Sequence, residues 1–210
     1  MKTRFFVCAC LLLFTCGQAA YALSAQSTFD TDLEGWTGSQ PAPEVSWAGT
    51  DGNPGGYARF FDLIPDYTFL IAPAPFLGDW SDLDGSGVLS YDHKVFSSGL
   101  YDVARPYEVR ISGPGGSANW TGATPTGPTG WVPQVIPIRQ DAWTLLAGTW
   151  SGLLASVDTL TIRIEPFANV EGGDPEVCGI DNVQLVPEPS SLLALFSGVA
   201  ALAALRRRRA

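Results

Sequence analysis

Glycine and proline interrupt this chain so often that it has no room for long helices. The 210 residues include 23 glycines and 16 prolines. Glycine costs backbone entropy inside an element, and proline removes an amide donor. Between these breaks lie short runs rich in β-branched and aromatic residues. Tyr57 to Asp62, Thr68 to Ala72, Val88 to Val95, Tyr107 to Ser112, Trp131 to Ile138, Thr159 to Glu165 and Ile180 to Val186 read as strands. Leu160, Ile162 and Ile164 alternate with polar neighbours, so one face of that strand is buried. The Gly/Pro clusters at 51–56, 113–116 and 124–130 supply turns. Only Trp143 to Val157 suits a helical turn. Residues 23–186 are therefore expected to form an all-β fold, an antiparallel β-sandwich.

The two ends have a different composition. Lys2 and Arg4 precede an apolar run from Phe5 to Phe14, and Ala20-Tyr21-Ala22 offers a small-residue cleavage site before Leu23. That is the layout of a secretory signal peptide, residues 1–22, cut by signal peptidase at Ala20 and Ala22. The run is about half of the ~20 residues a spanning helix needs. A lipoprotein reading through Cys16 is weaker, because Phe14 and Thr15 stand where small residues belong. At the other end, Leu192 to Leu205 is apolar apart from Ser197 and Gly198, and Arg206, Arg207, Arg208 and Arg209 close it. This predicts a transmembrane helix whose arginines stay cytoplasmic, with the body outside. Val186 to Ser191 reads as the connection to it.

Charge then limits the partners. All 21 acidic residues lie between Asp30 and Glu188, alongside only six basic ones, a net charge of −15. Nucleic acid is set aside, because phosphate binding depends on Lys and Arg. Divalent cations and neutral polymers fit better. Cys8, Cys10 and Cys16 belong to the signal segment, so Cys178 alone cannot make an internal disulfide and reads as a small buried hydrophobe.

The segment Val186-Pro187-Glu188-Pro189-Ser190-Ser191, followed by an apolar helix and an arginine cluster, resembles the PEP-CTERM sorting signal. Residues 187–210 would be that signal. The resemblance implies a Gram-negative bacterium whose exosortase cuts near Pro187, Glu188 and Pro189, and an association with exopolysaccharide and biofilm matrix. The helix would hold the protein in the inner membrane until the tail is removed. The mature protein would then reach the cell surface or the extracellular matrix.

The body resembles a second family, the laminin B domain (laminin domain IV). The segments that carry this likeness are Phe29 to Trp36, Gly52 to Tyr57, Ala72 to Ser81, Gly87 to Asp92 and Ile180 to Leu185, in that order. The resemblance implies a jelly-roll sandwich of the galactose-binding type. It assigns no ligand, because fold does not fix function.

Two candidate sites follow from the residues. Asp30, Asp32 and Glu34 alternate along an extended segment, and Asp181 lies in the last strand, which in such jelly rolls runs near the first. These carboxylates either share a structural calcium ion or cap a strand end; calcium takes about 6–8 oxygens, and four side chains can be named. Asp82 to Gly87 is not an EF-hand, because position 12 of that loop would be His93 rather than glutamate. The second site is a carbohydrate platform. Sugars stack their C–H faces on aromatic rings, and large aromatics otherwise fill cores. Trp120 and Trp131 flank the Gly/Pro/Thr-rich loop and are the expected exposed pair; Trp80, Trp143 and Trp150 are the other candidates.

Enzymatic readings find little support. His93 is the single histidine, in a strand-like stretch where a surface role is expected. No serine sits in a nucleophile elbow, zinc would lack its usual His and Cys ligands, and no phosphate-cradling loop is present. The expectation is a non-enzymatic exported protein that binds polysaccharide or another extracellular polymer. The alternative is a structural or adhesive matrix protein that binds other proteins.

Overall fold

The computed structural model describes residues 23–40, 44–62, 67–98, 101–169 and 175–187. The expected signal segment with Ala20 and Ala22, and Glu188, Pro189 and Arg206 to Arg209 of the tail, lie outside the described residues. Among those described, no helix is long and apolar enough to cross a membrane.

Two six-stranded antiparallel sheets face each other. The first is built from β1 (Ala25–Ser27), β3 (Val45–Ala48), β4 (Tyr57–Phe61), β6 (Gly87–Ser97), β10 (Val132–Ile138) and β14 (Val177–Pro187). Its order is β10-β6-β14-β4-β3, with β1 also pairing to β14. The second contains β2 (Thr37–Gly38), β5 (Phe69–Ile71), β8 (Glu108–Gly113), β9 (Gly116–Thr121), β11 (Thr144–Gly148) and β12 (Thr159–Arg163), in the order β11-β9-β8-β12-β5-β2. A small ribbon pairs β7 (Tyr101–Ala104) with β13 (Phe167–Asn169). One short helix, α1 (Trp150–Leu154), lies within the segment expected to hold a helical turn, capped by the Thr149 hydroxyl on Gly152 N–H.

Alternation explains the core. On β6 the odd positions Leu89, Tyr91, His93 and Val95 are buried, and on β12 Leu160 and Ile162 oppose them from the other sheet. Trp36, Trp80, Phe29, Phe60 and Phe76 are among the largest side chains fully buried with them. Each buried indole finds an acceptor, as a desolvated N–H requires: Trp80 donates to the Phe76 carbonyl at 3.1 Å, Trp143 to the Pro137 carbonyl at 2.9 Å, and Trp150 to Asp84 Oδ1 at 2.9 Å. His93 corrects the surface role expected of it. It follows the inward parity of β6, is fully buried, and hydrogen-bonds through Nε2 to the Ile164 carbonyl at 3.0 Å. Burial pushes its pKa down to about 4, so the ring is neutral.

Glu44, Asp62, Glu165 and Glu176 are also buried, where β4 and β12 end and β14 begins. Glu165 accepts from Thr68 N–H at 2.8 Å, and Glu44 from the Thr68 hydroxyl at 2.8 Å. Glu176 accepts from the Cys178 thiol at 2.9 Å. Burial, reinforced by the neighbouring carboxylates, pushes Glu165 up to about 9 and Glu176 up to about 8. Both are therefore protonated near neutral pH.

The folded state holds these two protons where an unfolded chain, with glutamates near 4.3, has lost them. Stability should then fall as pH rises from about 5 to 9, through the interval set by the two raised values. Thermal melts across that range should show a declining Tm, and Glu165→Gln with Glu176→Gln should flatten the decline. An unchanged slope in the double variant would contradict this account.

Candidate functional site: the outer face of the β6–β14–β4 sheet

Residues of even number on β6 turn outward, so Ser90, Asp92, Lys94 and Phe96 line one face in sequence. They span about 20 Å at the usual strand rise. Two features share this face. The first is a groove of about 330 Å³ lined by Ser90, Asp92, Pro133, Val135, Asn182 and Gln184. The second is an aromatic cluster formed by Tyr57, Phe96 and Trp131. Tyr57 stacks on Phe96 at 5.1 Å between centroids, and Trp131 meets both edge-on at 5.5 and 6.0 Å.

Local sequence places both features. Gly179 on β14 leaves room for the rings, since a Cβ there would lie 2.6 Å from Tyr57 Cδ2 and 3.0 Å from Trp131 Cη2. The Trp131 indole is held by its N–H bond to the Asp51 carbonyl at 3.1 Å. Lys94 places its ammonium 4.0 Å from the Phe96 ring centroid and 5.6 Å from that of Trp131. Beside the groove, β14 bulges between Asp181 and Gln184. Asn182 sits there at φ 51°, a left-handed conformation that asparagine tolerates better than most residues. Its side-chain amide donates to the Asn53 carbonyl at 2.5 Å and to Asp92 Oδ2 at 3.0 Å, and Asn53 Nδ2 also donates to Asp92 at 3.0 Å. Asp92 is thereby oriented at one end of the groove.

The four carboxylates expected to converge are arranged as follows. Glu34 Oε1 accepts from Thr28 N–H at 3.2 Å and Phe29 N–H at 2.6 Å, and Asp32 accepts from Glu34 N–H at 2.6 Å. Asp30 accepts from the Thr28 hydroxyl at 2.9 Å. Asp181 is fully buried and accepts from Asn53 N–H at 2.6 Å and Asn182 N–H at 2.7 Å. Burial raises its pKa, with the charges of Asp92 and Asp30 adding to the effect. Asp181 thus binds the 51–56 loop through Asn53, and Asp30 Oδ1 lies close against Gly55 of the same loop, while Asp32 and Glu34 fold back on their own turn. Among the described residues, no group of three or more His, Cys, Asp or Glu side chains is placed to hold a metal ion.

The expected tryptophan pair is divided between the sheets. Trp131 lies on the outer face just described. Trp120 is part of β9 in the other sheet, opposite Val109, and packs against the core. Trp80, Trp143 and Trp150 are buried. Tyr57, Phe96, Lys94 and Asn182 were not singled out from the sequence. Their common signal is outward parity on neighbouring strands, which cannot be used until the register is known.

Pro187 is the last residue of β14 and pairs with Gly87. Residues 185–209 match the PEP-CTERM protein-sorting motif. The chain carries a PEP-CTERM sorting signal. That signal implies an exported protein, anchored in a membrane and then processed. No curated protein matches the sequence. In fold, the sandwich resembles the family 11 carbohydrate-binding module of Clostridium thermocellum, solved with a β-1,3-1,4-mixed-linked tetrasaccharide. The TM-score is 0.52 at 19% identity, covering 79% of this chain and 96% of that one. It is also similar to the L4b domain of human laminin alpha-2 (TM-score 0.47, 11% identity, 70% and 80% covered). A third similar structure is the cleaved adhesin domain of Lys-gingipain from Porphyromonas gingivalis (TM-score 0.46, 12% identity, 79% and 98% covered).

Asp181→Ala would remove the acceptor of two partly buried backbone donors, at about 1–2 kcal/mol each. Urea unfolding should show a loss of roughly 2–4 kcal/mol, and Asp181→Asn, which keeps one acceptor oxygen, should lose less. Equal losses in the two variants would refute the capping role.

Proposed function

We propose that the exported sandwich binds polysaccharide along the outer face of the β6–β14–β4 sheet, and that it does so at the surface or in the extracellular matrix of a Gram-negative bacterium after exosortase processing. The supporting observation is the continuity of the aromatic cluster with the polar groove along β6. Pyranose rings offer apolar C–H faces to Trp131 and Phe96, and hydroxyls to Ser90, Asp92, Asn182 and Gln184. A groove near 330 Å³ is within the usual size of small-molecule sites. The solved module of similar fold is itself a carbohydrate binder by its description. We further propose binding without catalysis. The buried neutral His93 and the buried Cys178 favour it, as does Asp92, which two amides hold in place.

The full-length chain in detergent, applied to a glycan array, should give saturable binding. Trp131→Ala should weaken it about tenfold, the equivalent of roughly 1.4 kcal/mol. Trp120→Phe, on the opposite sheet, should leave binding unchanged. Silence across the array, with concentration-dependent self-association instead, would overturn this reading in favour of a protein-binding matrix component.

A further inference from the structure

The register of the first sheet brings two cations together on the proposed binding face. Gly179 pairs with Arg59 on one side and with Lys94 on the other. With neighbouring strands about 4.8 Å apart, the two Cα atoms lie about 10 Å from each other, and both side chains project outward. Each leans over the aromatic residue two positions further along its own strand. Arg59 Cζ lies 5.3 Å from the Phe61 centroid, and Lys94 Nζ lies 4.0 Å from that of Phe96. Among the described residues the salt bridges are Arg110 with Glu108, Arg163 with Glu108, and Arg139 with Asp141; neither Arg59 nor Lys94 makes one. In a stretch, Asp30 to Glu188, of net charge −15, two neighbouring cations without a carboxylate partner are conspicuous. On this face Asp92 and its register partner Asp181 lie two positions along from the pair, Asp92 Oδ2 accepting from two side-chain amides and Asp181 from two backbone N–H groups, and the charge of Asp51 reaches Tyr57.

The geometry points to an anionic polysaccharide as the ligand class. Its acidic substituent, a carboxylate or a sulfate ester, would sit between Arg59 and Lys94, while its neutral hydroxyls lie in the groove beside Ser90, Asn182 and Gln184. This inference rests on the polysaccharide reading above and refines it. The carboxylates around the pair disfavour an acidic substituent elsewhere on this face, so the cation pair would set the binding pose as well as the substituent.

The test compares full-length chain in detergent on three immobilised probes: polygalacturonate, its carboxyl-reduced neutral form, and dextran sulfate. Binding to at least one anionic probe should exceed binding to the neutral probe by roughly tenfold. That preference should shrink as salt rises from about 0.01 M to about 1 M, where the Debye length falls from about 30 Å to about 3 Å. Arg59→Gln with Lys94→Gln should abolish the preference, and Arg59→Lys with Lys94→Arg should keep it. Preference for polygalacturonate alone identifies a carboxylate, and for dextran sulfate alone a sulfate. Equal binding of neutral and anionic probes overturns this inference and leaves the polysaccharide reading intact, as does a double glutamine variant that keeps the preference. Absence of binding to all three probes, joined to silence on the glycan array, overturns both.

Discussion

The pairing of β14 with β6 on one side and β4 on the other determines where almost every other feature lies. It sets Gly179 between Arg59 and Lys94, and Asp181 opposite Asp92. A slip of one residue would turn each outward side chain inward and expose Cys178 and Ile180. The register is held by the buried set Cys178, Ile180, Val183 and Leu185, and by the bulge through which Asn182 grips the 51–56 loop. Gly179 then acts by omission: having no side chain, it leaves room over the strand for the Tyr57 and Trp131 rings.

The same strand joins the body to its sorting signal. Leu185 pairs with Leu89 on β6 and with Ala25 on β1, so both ends of the sandwich leave from one place. The sorting match begins at residue 185, inside β14, and Pro187 is still paired with Gly87. The folded body therefore extends into the start of its sorting signal. Pulling on that signal loads a strand hydrogen-bonded on both sides, a geometry that shares force among several backbone bonds.

Much of the fold was legible because alternation is a strong signal when one face is buried. The seven strands expected from β-branched and aromatic runs are all present, with ends shifted by a few residues. The omitted ones, such as β9 with its Gly-Ser-Ala-Asn start and the two-residue β2, carry little intrinsic preference and exist because a partner strand pairs with them. His93 was misread for a related reason. A polar residue in a strand reads as exposed until the parity set by Leu89, Tyr91 and Val95 is applied to it. The site was half legible: Trp131 stood out as an aromatic beside a loop, while Trp120, chosen by the same reasoning, belongs to the other sheet. What assembles Tyr57, Phe96, Arg59 and Lys94 is cross-strand neighbourhood, and residues 35 or more positions apart give no local sign of it.

The distance between the proposed binding face and the tail separates two electrostatic environments. Gly179 and Pro187 are eight positions apart on β14, about 25 Å at strand rise. At physiological ionic strength the Debye length is about 8 Å. Anionic lipid headgroups near the tail would therefore be screened from Arg59 and Lys94, and would not compete for them while the protein is anchored. The acidic body would act in the same direction, repelling an anionic membrane from its flanks. Holding the cations far along the strand from the tail would let the proposed site for acidic polymer work beside a membrane of the same charge.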